Sequence, residues 1–130
     1  GNDTCYYTYN QLPVELISFY GYISEETIVF QWLTAWEINN NKFQIEELTD
    51  YEWTLVGEVK GVGNCNNVTR YTYRTVIEDV GIKYYRLKQI DFNGDYYYSD
   101  IIAIENRQIE KAKYIYIKAF ENVWMKKSKN

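Results

Sequence analysis

The residue types that most enzymes use for proton transfer are unevenly represented in this sequence. It contains no histidine, so neither a Ser-His or Cys-His nucleophile pair nor an imidazole general base can be assembled. Two cysteines are too few for a Cys₄ zinc site, and zinc sites that combine cysteine with histidine are excluded as well. Acid–base chemistry would have to rest on carboxylates, lysine or tyrosine. We therefore expect neither an enzyme nor a bound cofactor.

The carboxylates do not form an arrangement typical of catalysis or of metal binding. Glu46 and Glu47 are neighbours in a predicted strand, where adjacent side chains point to opposite faces, so they cannot act as one dyad. Asp91, Asn93 and Asp95 alternate like the first ligands of a calcium loop. Such a loop needs about twelve residues and a late glutamate. The same positions indicate a hairpin turn instead, so we expect no metal site.

The overall charge of the chain argues against nucleic acid as a partner. The 130 residues carry a formal charge of −4 at pH 7, whereas a surface that binds nucleic acid needs a basic footprint. The sequence ends in a short basic stretch at 125–130, MKKSKN, for which we expect a solvated tail. No apolar run approaches the ~20 residues of a membrane span, so we expect no membrane insertion. Because the chain begins with Gly1 rather than Met, we expect a processed or excised piece of a longer polypeptide.

Composition and periodicity both predict an all-β fold. The 15 tyrosines and 4 tryptophans favour strands over helices. Alternation of apolar and polar residues predicts seven strands, at 12–22, 27–35, 42–48, 52–60, 69–76, 82–92 and 95–105. INNN at 38–41 indicates a turn, GVGNCNN at 61–67 a loop, and Asn93-Gly94 a two-residue hairpin of type I′. This spacing is typical of an immunoglobulin-like sandwich of antiparallel strands. Residues 113–120 fit an eighth strand, although the tail could equally begin as a helix.

The same alternation predicts which side chains lie in the core. We expect six of them to meet between two sheets: Phe30, Trp32, Phe43, Ile45, Tyr85 and Leu87. Tyr85 occupies the position of a corner tyrosine, whose ring is buried and whose hydroxyl bonds to nearby backbone. In the last strand Tyr98, Ile102 and Ile104 are expected to point inward, with a bulge at Asp100.

Four stretches of the sequence carry a resemblance to a known family. They are LPVELISF (12–19), QWLTAWEINNNKFQIEE (31–47), VGEVKGVGNCNN (56–67) and YYRLKQIDFNGDYYYSDIIAI (84–104). In this order they closely resemble the fibronectin-III-like sandwich found near the C-termini of large secreted proteins of Bacteroidetes-type bacteria, where it commonly precedes the type IX secretion sorting domain. The resemblance covers residues 12–105, leaving 1–11 as an irregular N-terminal segment and 106–130 as a C-terminal extension with a basic tail. It implies an extracellular or cell-surface location and a role as a spacer between a passenger and its anchor.

Two departures from the family pattern bear on secretion and on the cysteines. No Tyr-Pro-Asn-Pro-like motif, which opens the sorting domain, follows Glu105. Cys65 stands where the family favours a small residue such as Ser. Two cysteines in an otherwise cysteine-free secreted domain are more often paired than free, so we expect a disulfide between Cys5 and Cys65.

The tyrosines outside the core offer a candidate contact surface. Tyr84 and Tyr97 are expected to form an exposed aromatic strip, a surface suited to stacking on sugar rings or anchoring a protein. Glu46 and Arg86 are expected to pair on the outer face of one sheet. We therefore expect a non-catalytic spacer or protein-interaction module that contacts a protein partner or other domains of the same polypeptide. Two alternatives stay open: a carbohydrate-binding or adhesion module, and a virion-surface module of a phage of such bacteria.

Overall fold

The computed structural model describes residues 14–107 of the chain. In this range the chain is all-β, with seven strands in one curled antiparallel sheet and no helix. The strands are β1 (Val14–Ser24), β2 (Thr27–Thr49), β3 (Glu52–Cys65), β4 (Thr69–Val76), β5 (Gly81–Asp91), β6 (Tyr96–Tyr98) and β7 (Ile102–Asn106). The prediction of an all-β antiparallel fold is thereby confirmed. No helix that could span a membrane is found within the described range.

Several predicted features fall outside the described residues. They include the N-terminal segment 1–11, Cys5, and the alternative of a strand or a helix around residues 113–120. The predicted segment boundaries therefore stay predictions.

Strand β2 organises the sheet because it pairs with four other strands. Its first half, residues 27–37, lies between β1 and β4, and its second half, residues 40–49, lies between β3 and β5. Strand β5 extends the sheet further, because β6 and β7 pair with different parts of it. One long strand thus connects two groups of partners, and both of its halves contribute side chains to the core.

The predicted turn at 38–41 is wrong, because β2 runs through these residues without reversing. The pairing register shifts instead between Glu37 and Asn40 and again between Asn40 and Lys42. Asn39 has a φ of 57°, in the left-handed region that asparagine adopts more readily than most residues. Shifts of this kind are bulges, which bend a strand and redirect its side chains. The Asn-rich stretch therefore marks a bend within one strand.

Strand β3 extends further than predicted, into the Gly/Asn-rich stretch. It ends at Cys65, so the predicted loop at 61–67 is wrong up to that residue. Cys65 pairs with Glu37, which places the end of β3 beside the bend of β2. Gly61 packs so closely against Asn40 that a side chain at position 61 would clash. Glycine here permits the close approach of two strands, a role that sequence alone does not distinguish from that of a loop.

The hairpin between β5 and β6 forms where Asn93-Gly94 predicts it, but with a different turn. Gly94 has a φ of 98° whereas Asn93 does not have a positive φ, so the type I′ turn, which needs both, is absent. The amide of Gly94 donates to the carbonyl of Asp91 at 2.9 Å, and the amide of Asp91 donates to the carbonyl of Asp95 at 2.8 Å. Residues 92–94 therefore form a three-residue loop, with glycine at the left-handed position that follows a type I turn.

The last predicted strand is divided into β6 and β7 by a break at residues 99–101. Lys88 pairs with Tyr98 and Tyr85 pairs with Ile102, so the register shifts by one residue across the break. A shift of one residue exchanges the two faces of a strand, as a bulge in this stretch should. Tyr98 is therefore 45% exposed on the outer face, contrary to the prediction, whereas Ile102 packs against the core.

One cluster of buried side chains forms the core, and the six side chains that alternation places inside all belong to it. Trp32 is fully buried and stacks on Tyr71 at a centroid distance of 5.4 Å. The ring of Phe30 meets the ring of Tyr85 edge to face at 4.9 Å. The other buried members of the cluster are Ile28, Tyr71 and Ile104.

Candidate functional site

The two tyrosines that suggested an aromatic strip lie on opposite faces of the sheet. Tyr84 is 43% exposed and Tyr97 is 48% exposed, so both are accessible as expected. In β5 the odd-numbered residues from Tyr85 to Asp91 are buried, which places the even-numbered Tyr84 on the outer face. Tyr97 pairs with the buried Gln89 and therefore points to the inner side. These two rings do not form one strip.

A different set of aromatic residues shares the outer face, and we name it the aromatic–cation face: Trp53, Arg86, Lys88, Tyr96 and Tyr98. The guanidinium carbon of Arg86 lies 3.7 Å from the ring centroid of Tyr98 and 4.2 Å from that of Trp53. The ammonium of Lys88 lies 4.4 Å from the ring centroid of Tyr96. Tyr96 and Tyr98 meet edge to face at 5.5 Å. Rings and cations therefore alternate across the face and hold one another in place.

The register of the strands explains why these residues meet. Glu46 pairs directly with Arg86, and the Nε of Arg86 donates to the Oε1 of Glu46 at 2.7 Å. The predicted cross-strand ion pair is thereby confirmed. Its side chains are only 19% and 13% exposed, because the rings of Trp53 and Tyr98 cover the guanidinium group. The sequence does not predict Trp53 or Tyr98 at this face, because Trp53 lies on another strand and alternation predicts Tyr98 in the core.

Charges at the border of the aromatic–cation face are mostly paired. Glu58 accepts a hydrogen bond from the Nε2 of Gln44 at 2.9 Å and lies 3.4 Å from the Nζ of Lys42. These two neighbours, Gln44 first, lower the pKa of Glu58 below its usual value, while desolvation opposes them. Lys88, by contrast, makes no ion pair within residues 14–107. The face thus combines exposed rings with one uncompensated cation.

A closed polar cluster lies at the bend of β2, formed by Thr34, Glu37, Asn40 and Tyr71. The carboxylate of Glu37 is fully buried and accepts hydrogen bonds from Thr34 Oγ1 (2.8 Å), Asn40 Nδ2 (2.7 Å) and Tyr71 OH (2.6 Å). It also accepts one from the amide of Val62 at 3.3 Å. Burial, and then the carboxylate of Glu37, raise the pKa of Tyr71 far above its usual value. Every strong acceptor position is used, so this cluster stabilises the bend and leaves nothing for a ligand.

The closed polar cluster continues toward the hairpin turn. The Nε2 of Gln89 donates to the Oδ1 of Asn40 at 2.9 Å and to the Oδ1 of Asp91 at 2.6 Å. Burial raises the pKa of Asp91, the hydrogen bond from Gln89 opposes this, and Asp95 adds to it. These contacts tie the end of β5 to the bend of β2.

A more open group of charges lies at the other end of β5. The ammonium of Lys83 lies 2.9 Å from the carboxylate of Glu47 and 3.0 Å from that of Asp79. These three side chains and Tyr85 line a cavity of about 270 Å³. Sequence reasoning did not bring them together, because they belong to β2, to the segment before β5 and to β5 itself.

The structure describes only one of the two cysteines of the predicted Cys5–Cys65 bridge. Cys65 is buried at the end of β3, beside the bend of β2. Cys5 lies outside the described residues, so the bridge stays a prediction. Intact mass before and after reduction checks it: the predicted bridge requires a gain of two hydrogens on reduction and no alkylation without a reductant.

Comparison with protein-family models and with curated proteins finds no match for this chain. The likeness to fibronectin-III-like modules therefore rests on the four sequence stretches quoted above.

Proposed function

We propose that this chain is a non-catalytic module of a larger secreted or cell-surface protein, in which it acts as a spacer. The proposal includes a fibronectin-III-like sandwich. The strand pairing supports it when the two halves of β2 are counted as separate strands. One group is then β1, the first half of β2, and β4; the other is β3, the second half of β2, and β5 with β6 and β7. This division matches the two-sheet order of immunoglobulin-like folds.

The observation that carries the spacer role is where the described range, residues 14–107, begins and ends. Strand β1 begins at Val14, opposite Glu37 and next to the bend of β2. Strand β7 ends at Asn106, opposite Gly81. Strand β5 runs from Gly81 to Asp91, and Asp91 pairs with Asn40 at the bend of β2. The described chain therefore enters at one end of β5 and leaves at the other.

A described range that begins and ends at opposite ends of β5 suits a module that is connected in line with its neighbours. At about 3.3 Å per residue, a strand of the length of β5 spans roughly 33 Å. Each such module would separate its neighbours by about that distance. A domain whose ends lie side by side would branch off the polypeptide and add little length.

A tandem of two copies of the 130-residue chain tests the spacer role by small-angle X-ray scattering. We expect the maximum dimension to exceed that of the single chain by at least about 33 Å. The control joins the copies through a flexible Gly/Ser linker, which should broaden the distribution of distances. A tandem that packs side by side, with little gain in length, would contradict the proposal.

An adhesion module is the second candidate, and the aromatic–cation face favours it. Rings that are held by neighbouring cations lose little conformational entropy when a sugar or a protein packs on them. Glycan-array binding by the intact protein tests this role, with Tyr98→Ala as the disrupting variant. Tyr22→Ala is the matched control, because Tyr22 is similarly exposed but lies on β1. Binding that both variants retain, or that both lose, would argue against this face.

A further inference from the structure

A cavity of about 270 Å³ opens between β2, β3, the end of β4, the start of β5 and β7. This volume is slightly below the range of about 300–1,000 Å³ that is usual for small-molecule pockets. One part of its lining is apolar, with Ile28, Val56, Ile77 and Ile104. The polar part consists of Glu47, Thr75, Glu78, Asp79, Lys83, Tyr85 and Asn106. The cavity thus has the mixed lining that could hold a ligand with an apolar body and one polar group.

The hydroxyl of Tyr85 is the least satisfied group at this cavity. Tyr85 is 3% exposed, yet its hydroxyl makes no hydrogen bond to any residue between 14 and 107. The predicted corner-tyrosine bond to nearby backbone is therefore absent from the described part of the chain. Burial, and then the carboxylate of Glu47, raise the pKa of Tyr85 to about 12, so the hydroxyl stays protonated at neutral pH. The hydroxyl oxygen is not among the fully buried, unpaired side-chain atoms of the described range, so it is accessible from the cavity and offers a hydrogen-bonding position to a ligand there.

The charges at the cavity leave an excess of negative charge. Lys83 lies between Glu47 and Asp79, and burial, which lowers the pKa of Lys83, is outweighed by these two carboxylates, so the pKa is raised. The ammonium of Lys83 is therefore charged and already engaged. With Glu78 included, three carboxylates and one ammonium give the lining a formal charge of −2. Lys83 contacts Glu47 through Oε2 and Asp79 through Oδ2, so the second oxygen of each carboxylate is left for another donor.

We propose that this cavity binds a small organic cation, a primary ammonium group carried on an apolar body. The second oxygens of Glu47 and Asp79 and the hydroxyl of Tyr85 would accept hydrogen bonds from the ammonium group, and the aliphatic wall would cover the apolar body. A metal ion suits the site less well, because no group of three or more potential metal ligands exists within residues 14–107. The inference is independent of the spacer role, since a spacer needs no ligand.

Titration of the intact, isotope-labelled protein by ¹⁵N–¹H NMR tests the proposal with hexylammonium as the probe. We expect saturable shifts of the amides of Asp79, Lys83 and Ile104, with a Kd no weaker than about 10 mM. Hexanoate and 1-hexanol carry the same alkyl chain and should bind at least about tenfold more weakly. The absence of a saturable shift, or hexanoate binding as tightly as hexylammonium, would overturn the proposal.

Variants that remove one group at a time test which side chains bind hexylammonium. Tyr85→Phe keeps the buried ring and should weaken hexylammonium binding about tenfold. Tyr84→Phe, on the opposite face of the same strand, should leave the Kd unchanged. Asp79→Asn should weaken binding by a factor of about five, and the side chain of Asp79 is exposed enough for the fold to tolerate the change. Equal Kd values for the parent and Tyr85→Phe would also overturn the proposal.

Discussion

Two carboxylates lie beside buried tyrosines at opposite ends of the sheet, and their surroundings differ. Glu37 is fully buried and accepts hydrogen bonds from four donors, one of which is the hydroxyl of Tyr71. Glu47 shares Lys83 with a second carboxylate at the edge of a cavity, and the hydroxyl of the nearby Tyr85 has no partner among residues 14–107. The first site is closed by its own partners, whereas the second can accept another molecule.

The comparison shows that a shifted pKa does not by itself identify a functional site. Burial is the largest cause of the raised pKa of both Tyr71 and Tyr85, and a neighbouring carboxylate adds to it in each case. The two tyrosines differ in whether the hydroxyl has a hydrogen-bond partner. The presence of a protein partner for the hydroxyl, rather than the direction of its pKa shift, therefore separates the two sites.

The largest expected effect is the loss of stability when the closed carboxylate is removed. Glu37→Ala deletes the acceptor of four hydrogen bonds and leaves Asn40 and Tyr71 with buried, unpaired donors. We expect the free energy of unfolding to fall by about 3–5 kcal/mol. Glu47→Ala should lower it by at most about 1 kcal/mol, because its ion pair is partly exposed. Urea denaturation measures both, and similar losses for the two variants would remove the distinction between the sites.

Removing the hydroxyl of Tyr71 or of Tyr85 tests the same difference between the closed cluster and the cavity through the free energy of unfolding. Tyr71→Phe takes one donor from a buried carboxylate and should lower the free energy of unfolding by about 2 kcal/mol. Tyr85→Phe removes a hydroxyl that has no protein partner within the described range, so the change should stay within about 0.5 kcal/mol. Thermal or urea denaturation of the two variants provides the test. A loss above about 1 kcal/mol for Tyr85→Phe would mean that its hydroxyl already has a structural partner.

Much of the fold follows from local sequence signals. Alternation of side chains predicts the core positions of Phe30, Trp32 and Phe43, because a strand with one buried face has a period of two. The bounds of β4 agree with the predicted strand 69–76. The ion pair of Glu46 and Arg86 was also predictable, because these residues lie opposite each other when β2 and β5 pair.

The polar sites could not be predicted in this way. Tyr71 and Glu37 are 34 positions apart, and a single glutamate in a strand usually indicates a solvated side chain. The bend at Asn39 depends on one left-handed residue inside a strand, whereas an Asn-rich stretch usually indicates a turn. The one-residue shift between β6 and β7 then moved Tyr98 to the outer face. Long-range contacts and bulges, which local periodicity does not encode, determine both candidate sites.

The aromatic–cation face is intermediate between the closed cluster and the open cavity. Arg86 is covered by two rings and paired with Glu46, but the outer sides of the rings face solvent. Arg86→Ala should lower the free energy of unfolding by about 1–2 kcal/mol, since it removes an ion pair and two cation–π contacts. Lys88→Ala is the control and should cost no more than about 0.5 kcal/mol. Equal effects would show that coverage by the rings adds nothing to the stability of the pair.

The smallest expected effect concerns pH and lies at the border of the closed cluster. Burial raises the pKa of Asp91, Asp95 adds to the increase, and the hydrogen bond from Gln89 opposes it. A carboxyl group with a higher pKa in the folded state binds its proton more tightly when folded. Its contribution to stability is therefore complete at acid pH and is lost as the pH rises through the folded-state pKa.

Asp91→Asn removes this titration while its amide oxygen can still accept the hydrogen bond from Gln89. The difference in unfolding free energy between the variant and the parent should therefore shift in favour of the variant as the pH rises from about 3 to 7. Comparing the two proteins at each pH cancels the titration of the other carboxylates, including Glu58, whose lowered pKa acts in the opposite direction. Urea denaturation at several pH values provides the measurement. A difference that moves in favour of the parent with rising pH would mean that ionised Asp91 belongs to the closed cluster as a stabilising acceptor.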